Sequence, residues 1–180
     1  VTAMGDSITC YDPTVNLTGS SNTPGVTYNW INSAGVSIGA NPTVQAPGAG
    51  TFTLIVTNPV NGCKDSANAI VYLDTTLPLP TASTDTLTCN LTNPPLIGGT
   101  NIPNPVYSWS FGGNPYSAQK DTVASASGNY TLTVFNPSNG CSNDTTIFVP
   151  ENTVQPDAQA LGDSMDCIKT TATLTGSSAT

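Results

Sequence analysis

The chain contains no arginine and no histidine. Without Arg, no side chain can make the planar two-point contact that grips a phosphate, so nucleic acid is a poor partner. Without His, the commonest general base and metal ligand is missing. Glutamate is nearly absent as well: Glu151 is the sole one, and most aspartates are followed by Ser or Thr. Glycosidase-type chemistry needs two carboxylates in one cleft, and a Ser or Cys nucleophile would have no imidazole beside it. We therefore expect no enzyme. Charge is scarce too, at 8% of residues with a net charge of -8, where ordinary globular domains carry roughly 25%. No window approaches the roughly 20 apolar residues of a membrane-spanning helix, and no stretch shows helical periodicity, so almost no helix is expected.

What the chain has is repetition. Thr2 to Ser21 reads TAMGDSITCYDPTVNLTGSS, Thr81 to Thr100 reads TASTDTLTCNLTNPPLIGGT, and Ala158 to Ser178 reads AQALGDSMDCIKTTATLTGSS. The cysteines keep step. Cys10, Cys89 and Cys167 open the units at intervals of 79 and 78 residues, and Cys63 and Cys141 close two of them 78 residues apart. A long period with a cysteine pair in each unit indicates tandem small domains. The expected division is residues 1–79, 80–157 and the start of a third unit at 158–180, a window on a longer array. Disulfides in an oxidising, extracellular compartment are expected of such cysteines. Zinc is the other use of clustered cysteine, but no CxxC spacing occurs and no His completes a set.

The residue pattern is all-β. Val15 and Leu17, then Val26, Tyr28 and Trp30, then Phe52, Leu54 and Val56, then Ala69, Val71 and Leu73 alternate with polar residues at period two. Turn signals separate these runs, among them Pro-Gly at 24–25 and Asn-Gly at 61–62. The second unit repeats the design through Val106, Tyr107 and Trp109, then Tyr130, Leu132 and Val134, then Asn139-Gly140-Cys141. Short strands at this spacing predict an immunoglobulin-like β-sandwich in each unit. Trp30 and Trp109 recur on the same strand, each two residues after a Tyr, and are assigned to the cores. Thr75 to Pro80 (TTLPLP) and Thr153 to Pro156 (TVQP) read as extended connectors that limit bending.

An early Cys, VxLTGSS, Y-x-W, a G-x-[FY]-x-L-x-V strand and a closing N-P-x-N-G-C together resemble the PKD-like and Ig-like repeats of large Bacteroidota surface proteins. These include adhesins of the gliding-motility type, exported by type IX secretion. The resemblance implies a secreted or cell-surface array acting as an adhesin stalk or extracellular filament. Its partners would be neighbouring repeats and, through exposed sheet edges, other chains side by side. It also makes a further pattern readable. Seven of the ten aspartates precede a hydroxyl residue: Ser7, Ser66, Thr75, Thr86, Thr122, Thr145 and Ser164. This resembles the Asp-[Ser/Thr]-apolar acceptor for O-glycosylation in that phylum. The alternative is that these pairs open turns by bonding local N–H groups. The sequons at Asn16, Asn90, Asn129 and Asn143 arise easily in a chain this rich in Asn and Thr. No cofactor is expected. Calcium stiffens the joints of some sandwich arrays, but the acidic residues here are thinly spread and form no recognisable ligand loop. The competing functional class is a carbohydrate- or polymer-binding module, for which Tyr107, Trp109, Phe111 and Tyr116 are the local concentration of aromatics.

The cysteines admit two pairings. Sequence proximity favours Cys10–Cys63 and Cys89–Cys141, each closing a loop of about fifty residues worth roughly 4 kcal/mol in a chain-entropy treatment. Sandwich topology favours the other. The first turn and the last turn lie at opposite ends of such a domain, and a disulfide needs Cα atoms within about 7 Å. Cys10 would then meet Cys141 across the joint, and every joint would be stapled. Of the two, the pairing within each unit is the expectation and the bridge across the joint the alternative; Cys167 needs a partner outside this stretch in either scheme.

Overall fold

The computed structural model describes residues 1–179, and those residues form strands, turns and irregular segments without helix. The first unit comprises β1 (Thr2–Met4), β2 (Ser7–Thr9), β3 (Asn16–Ser20), β4 (Thr27–Asn32), β5 (Ser37–Gly39), β6 (Thr43–Gln45), β7 (Gly50–Thr57) and β8 (Lys64–Asp74). One sheet has the order β1-β3-β6 and the facing sheet β2-β8-β7-β4-β5. The second unit comprises β9 (Thr81–Thr84), β10 (Leu87–Thr88), β11 (Pro95–Gly99), β12 (Val106–Phe111), β13 (Asn114–Ser117), β14 (Asp121–Val123), β15 (Gly128–Phe135), β16 (Ser142–Val149) and β17 (Glu151–Asn152). Its sheets run β14-β11-β9 and β13-β12-β15-β16, with β10 pairing β17. β18 (Ala158–Leu161) and β19 (Thr175–Ser178) form a hairpin with the pairing that β1 makes with β3 and β9 with β11. The architecture is thus all-β, with Ig-like sandwiches in tandem.

The alternating residues build two separate cores. Val15, Leu17, Trp30, Phe52, Leu54, Val56, Ala69 and Val71 are buried together in the first. Leu96, Trp109, Tyr130, Leu132, Val134 and Val149 are buried in the second. Each Trp lies opposite a leucine of the neighbouring strand, Trp30 to Leu54 and Trp109 to Leu132. Gly19 and Gly98 let the other sheet come close to these rings. A Cβ at Gly19 would stand 3.1 Å from Trp30, and one at Gly98 3.5 Å from Trp109.

The opening strand changes sheets. β1 runs antiparallel to β3, and after Gly5 and Asp6 the chain continues as β2, parallel to β8. Gly5 sits at the crossing, where a Cβ would run into the Ile70 carbonyl. The sequence signals this strand only weakly, because its residues, TAMGDSIT, change sheets midway and carry no sustained alternation. In the second unit Pro150 interrupts the last strand, since it has no N–H to give to the ladder, and splits it into β16 and β17.

The second core holds a polar anchor that the first lacks. The buried Tyr130 hydroxyl donates to the Ala126 carbonyl at 3.1 Å and accepts from the N–H groups of Ser125 at 3.2 Å and Ala126 at 3.3 Å. A tyrosine that ties a strand back to the preceding corner recurs in immunoglobulin-type sandwiches. Phe52 occupies the matching place in the first unit and has no hydroxyl. Tyr130→Phe is expected to cost the second unit about 1–2 kcal/mol, with the first unit affected only through the joint that couples the two. Denaturant titration followed through Trp30 and Trp109 in single-tryptophan variants would read the two units separately.

Candidate functional site, the joint between the units

At the joint, a motif singled out in the sequence of one unit touches the other. Thr9 pairs with Asp74, the last residue of β8, so the turn carrying Cys10 lies beside the exit of the first unit. Asn139-Gly140-Cys141 forms the tip of the turn between β15 and β16, at the entrance of the second. The two are joined by a disulfide between Cys10 and Cys141, with Cα atoms 5.0 Å apart. Cys63, Cys89 and Cys167 are free and exposed.

This corrects the pairing that proximity favours. Cys63 directly precedes β8, and Cys10 follows the residue paired with its far end. The eleven residues of β8 span on the order of 35 Å, far beyond the reach of a disulfide. Cys141 and Cys89 are held apart in the same way, because Ser142 begins β16 and Thr88 pairs with Asn152 at the end of β17.

Hydrogen bonds surround the bridge. The Asn139 carbonyl accepts from the backbone N–H of Cys10 at 3.0 Å and Tyr11 at 3.3 Å. Its side-chain amide donates to Asp74 Oδ1 at 2.9 Å and to the Thr76 carbonyl at 3.0 Å, while its Oδ1 accepts from the Cys141 N–H at 3.0 Å. Asn139 is 2% exposed and Cys141 1%. Gly140 has φ +71°, and a Cβ there would lie 2.9 Å from the Tyr11 nitrogen. Both the backbone conformation and the contact therefore require glycine. The connector is fastened as well. Asn143 Nδ2 donates to the Pro78 carbonyl at 3.0 Å, and the Leu79 N–H donates to Asn101 Oδ1 at 2.9 Å. Pro78 is buried between the exposed Leu77 and Leu79, as extended chain against a surface dictates.

Asn139 holds the Asp74 carboxyl below its usual value; the Thr76 bonds act the same way and desolvation opposes them. A carboxyl with a lowered folded-state pKa stabilises the folded form fully above the unfolded value of 3.8, and that help is lost as pH falls through the lowered one. The joint is thus expected to loosen on acidification below pH 3.8, by less in Asp74→Asn. Asp121 and Asp166 shift in the same direction, so the comparison with Asp74→Asn isolates the joint. Backbone amide exchange at Asn139 across that range would measure it.

The other sequence-predicted sites lie apart. Ser66, Thr75 and Ser164 are exposed, and Ser7, Thr86, Thr122 and Thr145 half-buried. Asp6, Asp65 and Asp163 each accept the N–H of the hydroxyl residue that follows. Trp30 and Trp109 have no exposure. Phe111 stacks on Tyr130 at 4.5 Å and Tyr116 meets it edge-on at 5.2 Å, so the aromatics considered as a sugar platform are engaged in packing. No group of three or more metal-ligating side chains is gathered among the described residues. Sequence reasoning singled out Asn139 and Gly140 only as a turn; the signal that they face another unit lies in contacts 65 residues away along the chain.

No family model and no curated protein matches the chain. Fragments of several multi-domain proteins align with it among solved structures. A three-domain I-band fragment of titin aligns at 13% identity over 98% of this chain and 74% of its own, with a TM-score of 0.46. Extracellular domains 3-5 of Drosophila OTK align at 13% over 84% of this chain, with a TM-score of 0.46. The three N-terminal domains of the bacteriophage RB49 highly immunogenic outer capsid protein align at 14% over 93%, with a TM-score of 0.45. The chain spans 60% of the OTK fragment and 65% of the phage one. At this distance the alignments carry no argument about activity; the fold stands on the strand pairing.

Proposed function

We propose that this chain is a structural repeat region of an extracellular fibre or adhesin stalk, without catalytic activity. The observation that carries this reading is the covalent bond between successive units. A disulfide within a domain stabilises that domain, whereas one across a joint fixes the angle between domains and carries tension from one to the next. The buried Asn139 and the fastened connector serve the same end. A disulfide also fits an oxidising, extracellular compartment, and the hydroxyl-rich, weakly charged surface fits a secreted array. The cysteine and N-P-x-N-G-C pattern supports the Bacteroidota surface lineage and type IX export. In that lineage Ser7, Ser66, Thr75, Thr86, Thr122, Thr145 and Ser164 would carry O-glycans, and exposed sheet edges would allow lateral bundling. Small-angle scattering on the oxidised and the reduced chain tests the mechanical core of the proposal. A rigid two-unit rod that becomes flexible on reduction is expected; equal flexibility in both states would refute a stalk stiffened at its joints.

A further inference from the structure

The first unit carries the same turn that the second unit uses to hold its predecessor. In the second unit the Asn136 N–H donates to the Cys141 carbonyl at 2.8 Å and the Gly140 N–H to the Asn136 carbonyl at 2.8 Å. In the first, Asn58 donates to Cys63 at 2.9 Å and Gly62 to Asn58 at 2.8 Å. The Cys63 N–H donates to Asn61 Oδ1 at 3.0 Å, as Cys141 does to Asn139. Gly62 has φ +72° and Gly140 +71°. The turns are superimposable in their bonding, and one of them is occupied. Around Gly140 the Tyr11 backbone closes in, whereas nothing stands within 4 Å of a Cβ at Gly62. Asn61 and Cys63 are exposed and line a cleft of about 290 Å³ with Asn22, Val26 and Val56.

The complementary part is duplicated as well. The turn bearing Cys10 is closed by Thr9 N–H to the Asp12 carbonyl and Asp12 N–H to Thr9 Oγ1, both at 2.9 Å. The turn bearing Cys89 is closed by Thr88 N–H to the Leu91 carbonyl and Leu91 N–H to Thr88 Oγ1, both at 3.0 Å. Cys89 is exposed beside the exit strand β17, where Asn152 stands in the place of Asp74 and offers an amide oxygen instead of a carboxylate.

We infer that the Cys63 face is a socket for the cysteine-bearing turn of another unit of this kind, and that the Cys89 turn is the matching plug. The occupant is known because the second unit holds it: a Cys-containing turn with two free backbone N–H groups for the asparagine carbonyl, next to an exit strand whose oxygens accept from the asparagine amide. The seam is closed by thiol–disulfide exchange with a small disulfide such as oxidised glutathione. One protein thiolate attacks it and releases one thiol; the second protein thiolate displaces the other. Two protein thiols lose two protons and two electrons, and one disulfide is reduced to two thiols. The inference rests on the tandem-array reading for the identity of the partner.

The test is oxidation of the full 180-residue chain in a glutathione redox buffer that leaves Cys10–Cys141 intact, followed by peptide mapping of the intermolecular bonds. A ladder of multimers is expected in which the new bonds have Cys63 on one side and Cys89 on the other. Asn61→Ala, which removes the exposed amide that would hold the partner's exit strand, should cut ladder formation at least tenfold while Cys63 still reacts with iodoacetamide. A monomer that never cross-links overturns the inference. So does indiscriminate pairing, with Cys63–Cys63 and Cys89–Cys89 bonds as frequent as Cys63–Cys89. Either result alongside a rigid oxidised rod would remove the socket and keep the stalk; units that tumble independently when oxidised would remove the stalk itself.

Discussion

Pulled from its two ends, the oxidised chain is expected to fall short of the reduced chain by about 450 Å. The bond between Cys10 and Cys141 closes a loop with a sequence separation of 131, and each residue withheld shortens the extended chain by roughly 3.4 Å. Everything from β3 to β15 lies inside that loop. Only β1, β2 and the strands after Cys141 can be peeled by tension. Force spectroscopy with and without reductant makes the measurement. Bonds of the Cys10–Cys63 kind would each withhold only about 180 Å and would be released in two separate steps. The same loop has a thermodynamic counterpart: a chain-entropy treatment assigns a closure of this size about 5 kcal/mol, which Cys10→Ser should forfeit.

Asn139→Ala is expected to cost about 2 kcal/mol, the penalty for leaving the Cys141 N–H and the Thr76 carbonyl without the amide that satisfies them, whereas Asn61→Ala should cost under about 0.5 kcal/mol, as exposed positions do. The two asparagines occupy the same place in the same turn. Both bond the N–H of the cysteine two residues on. They differ in what lies beyond: Asn139 also holds Asp74 and Thr76 of the first unit, and Asn61 faces open space. The effect of Asn139→Ala should therefore appear as uncoupling. Denaturant curves reported by Trp30 and Trp109 should separate, with neither core losing stability on its own. Equal effects at the two positions would mean that the turn, not the joint, is what asparagine supports.

The same pair shows where the sequence stops being informative. The fold class was legible because a half-buried strand announces itself locally: Phe52, Leu54 and Val56, and again Tyr130, Leu132 and Val134, alternate within a few residues. The turn Asn-Gly-Cys was legible for the same reason. That the turn of one unit clasps the exit of the other was not, because the two halves of the contact lie 65 residues apart and no periodicity links them. Asn61 and Asn139 have near-identical neighbours and opposite burial. The opening strand was legible only weakly, for a local reason: after Gly5 it changes sheets, so Ala3 and Ile8 reach the same core from opposite sheets and the alternation breaks. The cross-joint bond was reachable only as one of two alternatives, since choosing it required the position of that strand.

Consider finally the order in which the chain is made. Cys10 leaves the ribosome long before its partner, and Cys63 and Cys89 both emerge in between. Each is an exposed thiol with which Cys10 would form a bond the folded units do not permit. What keeps Cys10 from the wrong choice is β8, which carries Cys63 to the far end of the first unit once it has folded. The correct partner becomes buried, at 1% exposure, when the second unit settles against the first. Oxidation therefore has to wait for folding, and an oxidant that outruns it would trap the nearer cysteines. The completed bond is in this sense a record of assembly: it is made only where two neighbouring units have both reached their native form.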